Sequence, residues 1–557
     1  MSNILTPLSL WKNFNADLAV MPVTLDEKTE DGIKYEYVAF SGRDTGMGRV
    51  CIFGVAAFHE ESPSRECVLI LRDEHDDVDE KMLAYFVKSG YSALYVDYSG
   101  AAKGKQHFTQ YPDNVSYANS VFCGRHKDFV DETAKETTWY EWVAVGIYAR
   151  KYLQEKFLTE NIGLIGIGEG GEIAWKLATV SRFSCAITVN ACGWKAYRGY
   201  GKFFGTEPEF DEERYRFVAG IDSQSYAPYV KCPVLILCST NNPEFNYDRA
   251  FDTFSRINPQ YAGLSSIAYS INTGKRIDLR GTKDMLMFLD GYVKGRHVFM
   301  PKPADISVSV DENSNLVAKV VCDSMGIIEK CNVFIAEDCV DFSTRDWVLA
   351  PFKRKISSTE SEYLLNIYEK TSLIFVMCYV VYSSGFTVWS KLAVKKVSGK
   401  FRNSQAKSRI IYTNKFGAES FAVAECSESA VGDIFLTDDE ILPQMVTMCD
   451  LSGIYSMGGL ATNRIKAPRF APDKDSILKL DICADKNITI DISLKKGKNG
   501  EVFWIKQNVI GGVWQSQILN PKMFKNSNGI SLNNFIGCET LILTASGKFA
   551  LNNILWL

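Results

Sequence analysis

The feature that most constrains the fold of this chain is the segment 161–175, which reads NIGLIGIGEGGEIAW. An apolar run leads into a turn that holds four glycines within the six positions 166–171, and a second apolar stretch follows the turn. A chain that passes from a buried strand into a helix through so short a turn needs residues with little or no side chain there. The segment therefore predicts a strand, a tight turn and a helix.

Two motifs overlap in this turn. In the G-x-S-x-G motif of α/β-hydrolases, a catalytic serine lies on a strand-to-helix turn, and Gly168 stands at the position of that serine. In the G-x-G-x-x-G motif, Gly166, Gly168 and Gly171 would form the phosphate-binding turn of a dinucleotide fold. Such a fold ends its next strand in Asp or Glu, whereas the strand predicted at 185–189 runs into Asn190. The turn favours a hydrolase-like elbow without its hydroxyl, and nucleotide binding or a purely structural turn remain alternatives.

Composition bounds the class of protein. A chain of 557 residues should contain about three domains. Its 62 basic and 66 acidic residues leave a net charge of −4, which indicates neither a nucleic-acid nor a membrane partner. The N-terminus lacks the pattern of a secretory signal, and the longest apolar run, 373–382, is too short to span a bilayer. We expect a soluble, cytoplasmic protein. The fifteen cysteines are scattered without CxxC pairs, which predicts reduced thiols, no metal and no cofactor.

Short apolar strands alternate with helical stretches over the first half of the chain, which predicts an α/β domain with a mostly parallel sheet. Antiparallel strands are expected before this sheet, at 35–40 and 49–56. The segment 97–135 is a long excursion that could cover a pocket. We expect one sheet from six segments: Cys67–Leu71, Ser92–Val96, Ile162–Ile167, Cys185–Val189, Pro233–Cys238 and Ser265–Ser270.

Residues 1 to about 298 resemble the α/β-hydrolase superfamily, most closely its acetyl-xylan-esterase-like and dienelactone-hydrolase-like branch. The motifs that carry the resemblance are GIGEGG, PVLILCSTNNPEF and SINTGKRIDLRGTKDMLMFLDGYVKG. The resemblance implies a Ser–His–Asp triad, but this chain has Gly168 for the nucleophile, Asn242 for the acid and Lys275 for the base. No histidine occurs between His126 and His297, so a small shift of the alignment recovers none.

The elbow of this resemblance comprises Gly166, Glu169, Gly170 and Gly171 around the empty nucleophile position. The family takes an oxyanion donor from the loop after the strand 67–71. Here that loop contains four carboxylates between 73 and 77, for which solvation is the default expectation. The space above Gly168 is expected to be either open to solvent or plugged by the excursion 97–135.

Two all-β domains are predicted beyond the first. Closely spaced prolines at 301 and 303 indicate a linker, and strand-length segments follow without a convincing helix. Residues 300–399 are predicted to form an immunoglobulin- or fibronectin-like sandwich. Residues 400–557 resemble a galactose-binding-like jelly roll, which is the fold of many carbohydrate-binding modules. The α/β-hydrolase-like domain with its N-terminal β extension then covers residues 1–299.

Three aromatic residues of the last domain, Tyr455, Trp504 and Trp514, are candidates for stacking on sugar rings, although tryptophans of β-sandwiches more often fill cores. The sequence as a whole favours a catalytically silent hydrolase homologue that binds or scaffolds, with a carbohydrate or an acylated small molecule as its ligand. An active carboxyl-ester hydrolase with an unconventional nucleophile is one alternative, and nucleotide binding at GIGEGG is another. The oligomeric state does not follow from the sequence.

Overall fold

The computed structural model describes residues 4–101, 105–203, 208–296, 300–424, 434–435, 441–497 and 500–557. The chain divides into two compact units. The first consists of residues 1–238, 245–268 and 283–300, and the second of residues 239–244, 269–282 and 301–557. Two short segments that the sequence assigns to the hydrolase-like domain therefore group with the second unit. The division into three domains stays a prediction.

One nine-stranded sheet organises the hydrolase-like part, in the order β1-β2-β3-β5-β4-β6-β7-β8-β9. Its strands are β1 (Val23–Glu30), β2 (Ile33–Asp44), β3 (Arg49–His59), β4 (Cys67–Leu71), β5 (Ser92–Val96), β6 (Ile162–Ile167), β7 (Cys185–Val189), β8 (Val234–Ser239) and β9 (Ser266–Ser270). The first three strands and β5 pair antiparallel, whereas β5, β4, β6, β7 and β8 pair parallel. The six predicted sheet segments are confirmed, with shifts of one residue at β8 and β9.

The parallel strands are apolar and buried along their whole length, as expected for strands covered on both faces. The helices of this part are α1 (Pro7–Trp11), α2 (Glu80–Lys88), α3 (Thr138–Phe157), α4 (Glu169–Val180), α5 (Glu212–Gly220), α6 (Ala250–Phe254), α7 (Pro259–Ala262) and α8 (Leu279–Tyr292). This mixed sheet with its helices resembles the α/β-hydrolase fold.

Two antiparallel sheets follow residue 300, which confirms an all-β region there. One has the order β10-β11-β15-β14, and the other has the order β13-β12-β16-β17 with β18 paired to β16. Their strands are β10 (Asp305–Val310), β11 (Leu316–Val321), β12 (Ile328–Glu337), β13 (Val348–Leu349), β14 (Phe352–Lys355), β15 (Glu360–Leu364), β16 (Leu373–Tyr382), β17 (Thr387–Trp389) and β18 (Ala393–Lys396). Arg345 and Trp347 are fully buried.

Two further antiparallel sheets enclose one apolar core near the C-terminus. Their orders are β21-β22-β29-β24-β27, with β19 paired to β29, and β20-β23-β28-β25-β26. The strands are β19 (Ile410–Thr413), β20 (Ala422–Val423), β21 (Gln444–Met448), β22 (Leu451–Tyr455), β23 (Leu460–Thr462), β24 (Leu478–Ala484), β25 (Ile488–Lys496), β26 (Glu501–Val509), β27 (Gln515–Leu519), β28 (Cys538–Ala545) and β29 (Phe549–Trp556). Two facing sheets fit the predicted sandwich, and its jelly-roll type stays a prediction.

Candidate functional site

Gly168 lies on a tight turn between β6 and α4, at the place where the sequence predicts the elbow. Its φ of +57° and ψ of −122° belong to a region that residues with a β-carbon rarely adopt. Its carbonyl accepts hydrogen bonds from the N–H groups of Gly171 at 3.0 Å and Glu172 at 3.1 Å, which begins the helix. Close packing explains a second glycine, since a β-carbon on Gly166 would come within 2.2 Å of the carbonyl oxygen of Gly170.

The space above Gly168 is occupied by the carboxylate of Asp73, which follows β4 by two residues. A β-carbon on Gly168 would lie 2.6 Å from Cγ and 2.7 Å from each carboxylate oxygen of Asp73. The Oδ1 atom accepts hydrogen bonds from the N–H groups of Glu169 at 3.2 Å and Glu74 at 3.0 Å. In the hydrolase fold, the oxyanion is bound by the N–H after the nucleophile and by an N–H of another loop. An internal carboxylate thus occupies donors of that kind.

The expectation that the acidic loop is simply solvated is wrong for its first two residues. Asp73 is partly buried, and Glu74 is 9% exposed. A carboxyl group can be withdrawn from water when donors or cations surround it, and here Lys127 and Lys195 are such cations. The group nearest to a side chain at Gly168 is the carboxyl group of Asp73, from the loop that follows β4.

Asp73 and Glu169 form a pair of carboxyl groups with opposite shifts. Burial, together with the hydrogen bond and the charge of Glu169, raises the pKa of Asp73 to about 8. Burial alone would also raise the pKa of Glu169, but the ammonium of Lys195 and the hydrogen bond with Asp73 hold it below its usual range. The Nζ atom of Lys195 lies 2.8 Å from Oε1 of Glu169. Burial and the neighbouring carboxyl group thus favour the neutral form of Asp73, whereas Lys195 favours the charged form of Glu169.

A second lysine reaches the cluster from the excursion 97–135. The Nζ atom of Lys127 lies 2.5 Å from Oε1 of Glu74 and 3.8 Å from Oε1 of Glu169. It also lies 5.9 Å from the ring centre of Trp142 on α3, and Nζ of Lys195 lies 5.3 Å from that of Trp139. Three carboxyl groups and two ammonium groups thus alternate around the start of α4. Carboxylates in this place disfavour a phosphate group, so the nucleotide alternative gains no support.

The other two triad positions belong to the second unit. Asn242 is 4% exposed, and its Oδ1 atom accepts the N–H of Glu244 at 2.9 Å. Lys275 is exposed, and its Nζ atom lies 3.2 Å from Oε2 of Glu244. Neither contact resembles an imidazole held by a carboxylate. Gly168 belongs to the first unit.

Two of the described histidines make contacts outside the segments of the triad positions: Nδ1 of His59 lies 3.5 Å from Oγ of Ser62, and His107 packs on Phe53 with ring centres 5.5 Å apart. The segments 239–244 and 269–282 contain no histidine. His126 stacks on Tyr117 with ring centres 4.3 Å apart, and its Nδ1 atom lies 2.7 Å from the carbonyl oxygen of Glu136. His75 is largely exposed beside Glu74. His297 lies outside the described residues.

Two asparagines form hydrogen bonds between residues 343–347 and the loops that follow β8 and β9. Nδ2 of Asn241 donates to the carbonyls of Ser343 at 3.1 Å and Arg345 at 2.8 Å. Asn272 donates to the carbonyl of Trp347 at 3.0 Å and accepts its N–H at 3.0 Å. These loops line a cavity of about 110 Å³ in the second unit. Its polar lining includes Asn241, Asn272, Ser343, Asp346, Asn463, Lys495 and Thr540.

The three aromatic candidates do not form one platform. Trp504 is 39% exposed on β26, the edge strand of one sheet. Tyr455 lies on β22 in the opposing sheet. The Trp514 ring packs on Gly453 of that same strand, where an added β-carbon would come within 2.9 Å of it, and its Nε1–H donates to the carbonyl of Met448 at 2.7 Å.

The sequence did not predict three members of this cluster, namely Asp73, Lys127 and Lys195. The one available signal was the position of Asp73 in the loop that provides an oxyanion donor in the hydrolase family. Lys127 and Lys195 lie 41 positions before and 27 positions after Gly168, respectively, in irregular segments without a motif. Their convergence on the elbow depends on tertiary structure alone.

Solved structures that are similar to part of this chain include esterases of low sequence identity. No family model and no curated protein matches the sequence. Acetyl xylan esterase 1 from Thermoanaerobacterium sp. JW/SL YS485 is 13% identical with a TM-score of 0.38, and the match covers 49% of this chain and 89% of that one. An acetyl xylan esterase from Paenibacillus sp. R4 is 13% identical with a TM-score of 0.37, over 51% and 92% of the two chains.

A thermostable carboxyl esterase from Bacillus coagulans is 14% identical with a TM-score of 0.32, over 46% of this chain and 99% of that one. At these scores and identities, the likeness carries no argument about activity or ligand. The fold assignment rests on the sheet order and on the turn at Gly168. Among the described residues, no helix is long and apolar enough to cross a membrane. The same residues contain no cluster of three or more His, Cys, Asp or Glu side chains suited to a metal ion.

Proposed function

We propose that this protein is a catalytically silent α/β-hydrolase homologue that works as a binding or scaffolding protein. The observation that carries the proposal is the Asp73 carboxylate over Gly168. Its Oδ1 atom accepts the N–H of Glu169, so a negatively polarised oxygen of this chain already uses a donor that a tetrahedral intermediate would need. The elbow in addition has no hydroxyl, and Asn242 and Lys275 provide neither the carboxylate nor the imidazole of a triad.

Reactivity towards esters tests the silent assignment directly. The purified full-length protein is incubated with a fluorophosphonate probe and with short-chain nitrophenyl esters, beside a heat-denatured sample and an active acetyl xylan esterase. We expect no stoichiometric labelling and no turnover above the denatured control. Labelling of one residue per chain would refute the proposal.

One observation supports an active carboxyl-ester hydrolase as the second candidate. The interacting carboxyl groups of Asp73 and Glu169 have pKa values shifted in opposite directions, and a pair of carboxyl groups with separated pKa values can divide acid and base roles. Such a pair would direct water at an ester instead of forming an acyl-enzyme. Turnover without fluorophosphonate labelling, abolished by Asp73→Asn, would favour this candidate.

Carbohydrate is the ligand class to test first for the binding role. The cavity of the second unit presents amide, hydroxyl, carboxylate and ammonium groups, which complement sugar hydroxyls. Of the three aromatic candidates, Trp504 is more exposed than Tyr455 and Trp514. A glycan array with the full-length protein should show binding that is lost in Asn463→Ala/Lys495→Ala if the cavity is the site. Loss in Trp504→Ala instead would assign binding to the surface of β26. No binding to any glycan would remove carbohydrate from the proposal.

A further inference from the structure

Two cysteines of the second unit bring their sulfur atoms together although they are 34 positions apart in the chain. Sγ of Cys449 lies 3.4 Å from Sγ of Cys483. Cys449 lies in the turn between β21 and β22, and Cys483 lies on β24. Both are free thiols. The two sulfurs are in contact but not bonded, and this pair has no part in the proposed function.

The hairpin turn places Cys449 over the outer surface of its sheet. Met448 pairs with Leu451, so only Cys449 and Asp450 form the turn. Their φ angles are +46° and +66°, the left-handed pair that a two-residue hairpin turn requires. Glycine and asparagine usually occupy such turns, and a cysteine in this conformation is strained. The indole of Trp514 holds the turn through the carbonyl of Met448.

Cys483, on β24, contacts this turn through the Cys449 side chain. Leu480, Ile482 and Ala484 of β24 belong to the apolar core between the two sheets. Cys483 is not part of that core although it is fully buried. It pairs with Ala550 on the neighbouring strand β29. Its cover on the outer side therefore includes the Cys449 side chain.

The two thiols differ in their access to solvent, which gives them different chemical roles. Cys449 is exposed, and Cys51 is the other exposed cysteine among the described residues. Burial raises the pKa of Cys483 to about 11, so Cys483 stays protonated at neutral pH. The thiolate is the form that reacts with an electrophile. Cys449 is consequently the thiol that a dissolved oxidant meets first.

We propose that Cys449 and Cys483 form a peroxide-reactive dithiol that closes to a disulfide. The Cys449 thiolate attacks one oxygen of a hydroperoxide, an S–O bond forms, the O–O bond breaks, and the leaving oxygen takes a proton to give water or an alcohol. The Cys483 sulfur then attacks Cys449, an S–S bond forms, the S–O bond breaks, and the leaving hydroxide takes the Cys483 proton. Two thiols are oxidised, one peroxide is reduced, and a dithiol reductant reverses the change.

Oxidation at this site would tie the tip of the β21–β22 hairpin to β24. The hairpin is joined to the rest of its sheet through the pairing of Ile454 with Leu551. A covalent link at its tip would add to this pairing and to the hydrogen bond from Trp514 to Met448. The hairpin would then open less often in the oxidised protein than in the reduced protein, and Trp514 would stay fixed on it.

The test is peptide mapping of the full-length protein treated with hydrogen peroxide. Samples are alkylated and digested without reductant, with trypsin and a Glu-specific protease, because cleavage after Glu440 separates Cys426 from Cys449. We expect a linked 449–483 peptide that disappears on treatment with dithiothreitol. If Cys51 is oxidised while no 449–483 link forms at the same peroxide concentration, the proposal is overturned.

Single cysteine-to-serine variants show which of the two thiols reacts first with the peroxide. Cys483→Ser should let dimedone trap a sulfenic acid at Cys449, and Cys449→Ser should leave Cys483 unmodified. Cys51→Ser is the matched control, since it removes the other exposed thiol and should form the 449–483 link as the parent does. A link of Cys449 to several other cysteines in the parent would show random oxidation and would equally overturn the proposal.

Discussion

At position 168, glycine satisfies two separate requirements. The backbone adopts a φ of +57°, and the carboxylate of Asp73 lies where a β-carbon would point. An active serine hydrolase tolerates the strained backbone because the hydroxyl is needed there. In this chain the strain has no such use, and the absence of a side chain instead leaves room for Asp73. The glycine and the aspartate therefore depend on each other.

Gly168→Ser is expected to destabilise the first unit without creating an enzyme. Backbone strain and the clash with Asp73 together should cost about 2–4 kcal/mol, and Lys275 stands where the hydrolase family has the histidine that activates the hydroxyl. The effect is measured as a lower melting temperature and faster hydrogen exchange in β6 and α4. Gly124→Ser is the control, because Gly124 has a φ of +47° and nothing within 4 Å of an added β-carbon.

Adding Asp73→Ala to Gly168→Ser should return part of the lost stability, because it removes the clash but not the strain. A double-mutant cycle on these two positions measures this coupling. Strictly additive effects would show that Asp73 does not occupy the space above position 168.

The carboxyl pair should make the first unit more stable at pH 5 than at pH 8. The pKa of Asp73 is raised from an ordinary 3.8 to about 8 on folding, so its contribution is complete below pH 4 and is lost as the pH rises through 8. Between these pH values the folded state holds up to one proton more than the unfolded state. The free energy of unfolding therefore changes by at most about −1.4 kcal/mol per pH unit. Glu169, whose pKa is lowered, contributes with the opposite sign below its ordinary range.

Asp73→Asn is the variant that isolates this slope. The amide keeps the shape and the hydrogen bond with Glu169 but does not titrate. Hydrogen exchange of amides in α4 between pH 5 and 8, corrected for the intrinsic rate, should lose most of its pH dependence in this variant. An unchanged slope would mean that Asp73 is ionised in the folded protein throughout that range.

Sequence analysis locates the elbow and the three changed triad positions because each follows a strand with a recognisable pattern. It misses Asp73 as an occupant of the elbow, since an acidic loop usually faces water. The N–H of Glu169 and the interaction with the Glu169 side chain hold this carboxyl group in place. Both depend on the approach of two loops that are 96 positions apart in sequence.

At the scale of elements, the buried apolar strands were predicted from the sequence, whereas the two-residue turn between β21 and β22 was not. The parallel strands β4 to β7 agree with prediction to the residue, because strands buried on both faces form uninterrupted apolar runs. The hairpin of β21 and β22 was not predicted at all. Its turn lacks the Asn-Gly or Asp-Gly sequence that normally indicates a two-residue turn, and Cys449-Asp450 adopts the required conformation against its local preference.

Asp450→Gly should stabilise this hairpin. Glycine adopts the φ of +66° at position 450 without steric cost, which should add about 0.5–1 kcal/mol to the stability of the second unit. Asp450→Ala is the matched control and should have the opposite effect. The measurement is hydrogen exchange of the amides in β21 and β22. Equal protection in both variants would contradict a left-handed residue at this position.

At the scale of the whole molecule, the chain between β8 and α8 alternates between the two units. Segments 239–244 and 269–282 belong to the second unit, while the segment between them belongs to the first. A break in sequence composition near residue 300 indicates a linker, but no sequence pattern indicates that two earlier loops have their hydrogen-bond partners beyond it.

A fragment of residues 1–300 should therefore be less stable than the full chain. Asn241 and Asn272 would lose their partners at Ser343, Arg345 and Trp347, and unpaired polar groups that stay buried cost about 1–3 kcal/mol each. We expect the fragment to melt several degrees lower or to aggregate on expression. A soluble fragment whose first-unit amides exchange as slowly as in the full chain would contradict this.

The alternation of the chain also restricts how a Ser–His–Asp triad could arise in this protein. In an ordinary hydrolase, the acid and histidine loops are free to vary around the chemistry. Here Asn242 and Lys275 lie on the same loops as Asn241 and Asn272. These two asparagines form hydrogen bonds with residues 343–347 of the second unit. A lineage that regained Ser, Asp and His would have to alter these loops while keeping their other attachments, and would also have to displace Asp73. The proposed loss of catalysis would therefore be difficult to reverse by substitutions at the three triad positions alone.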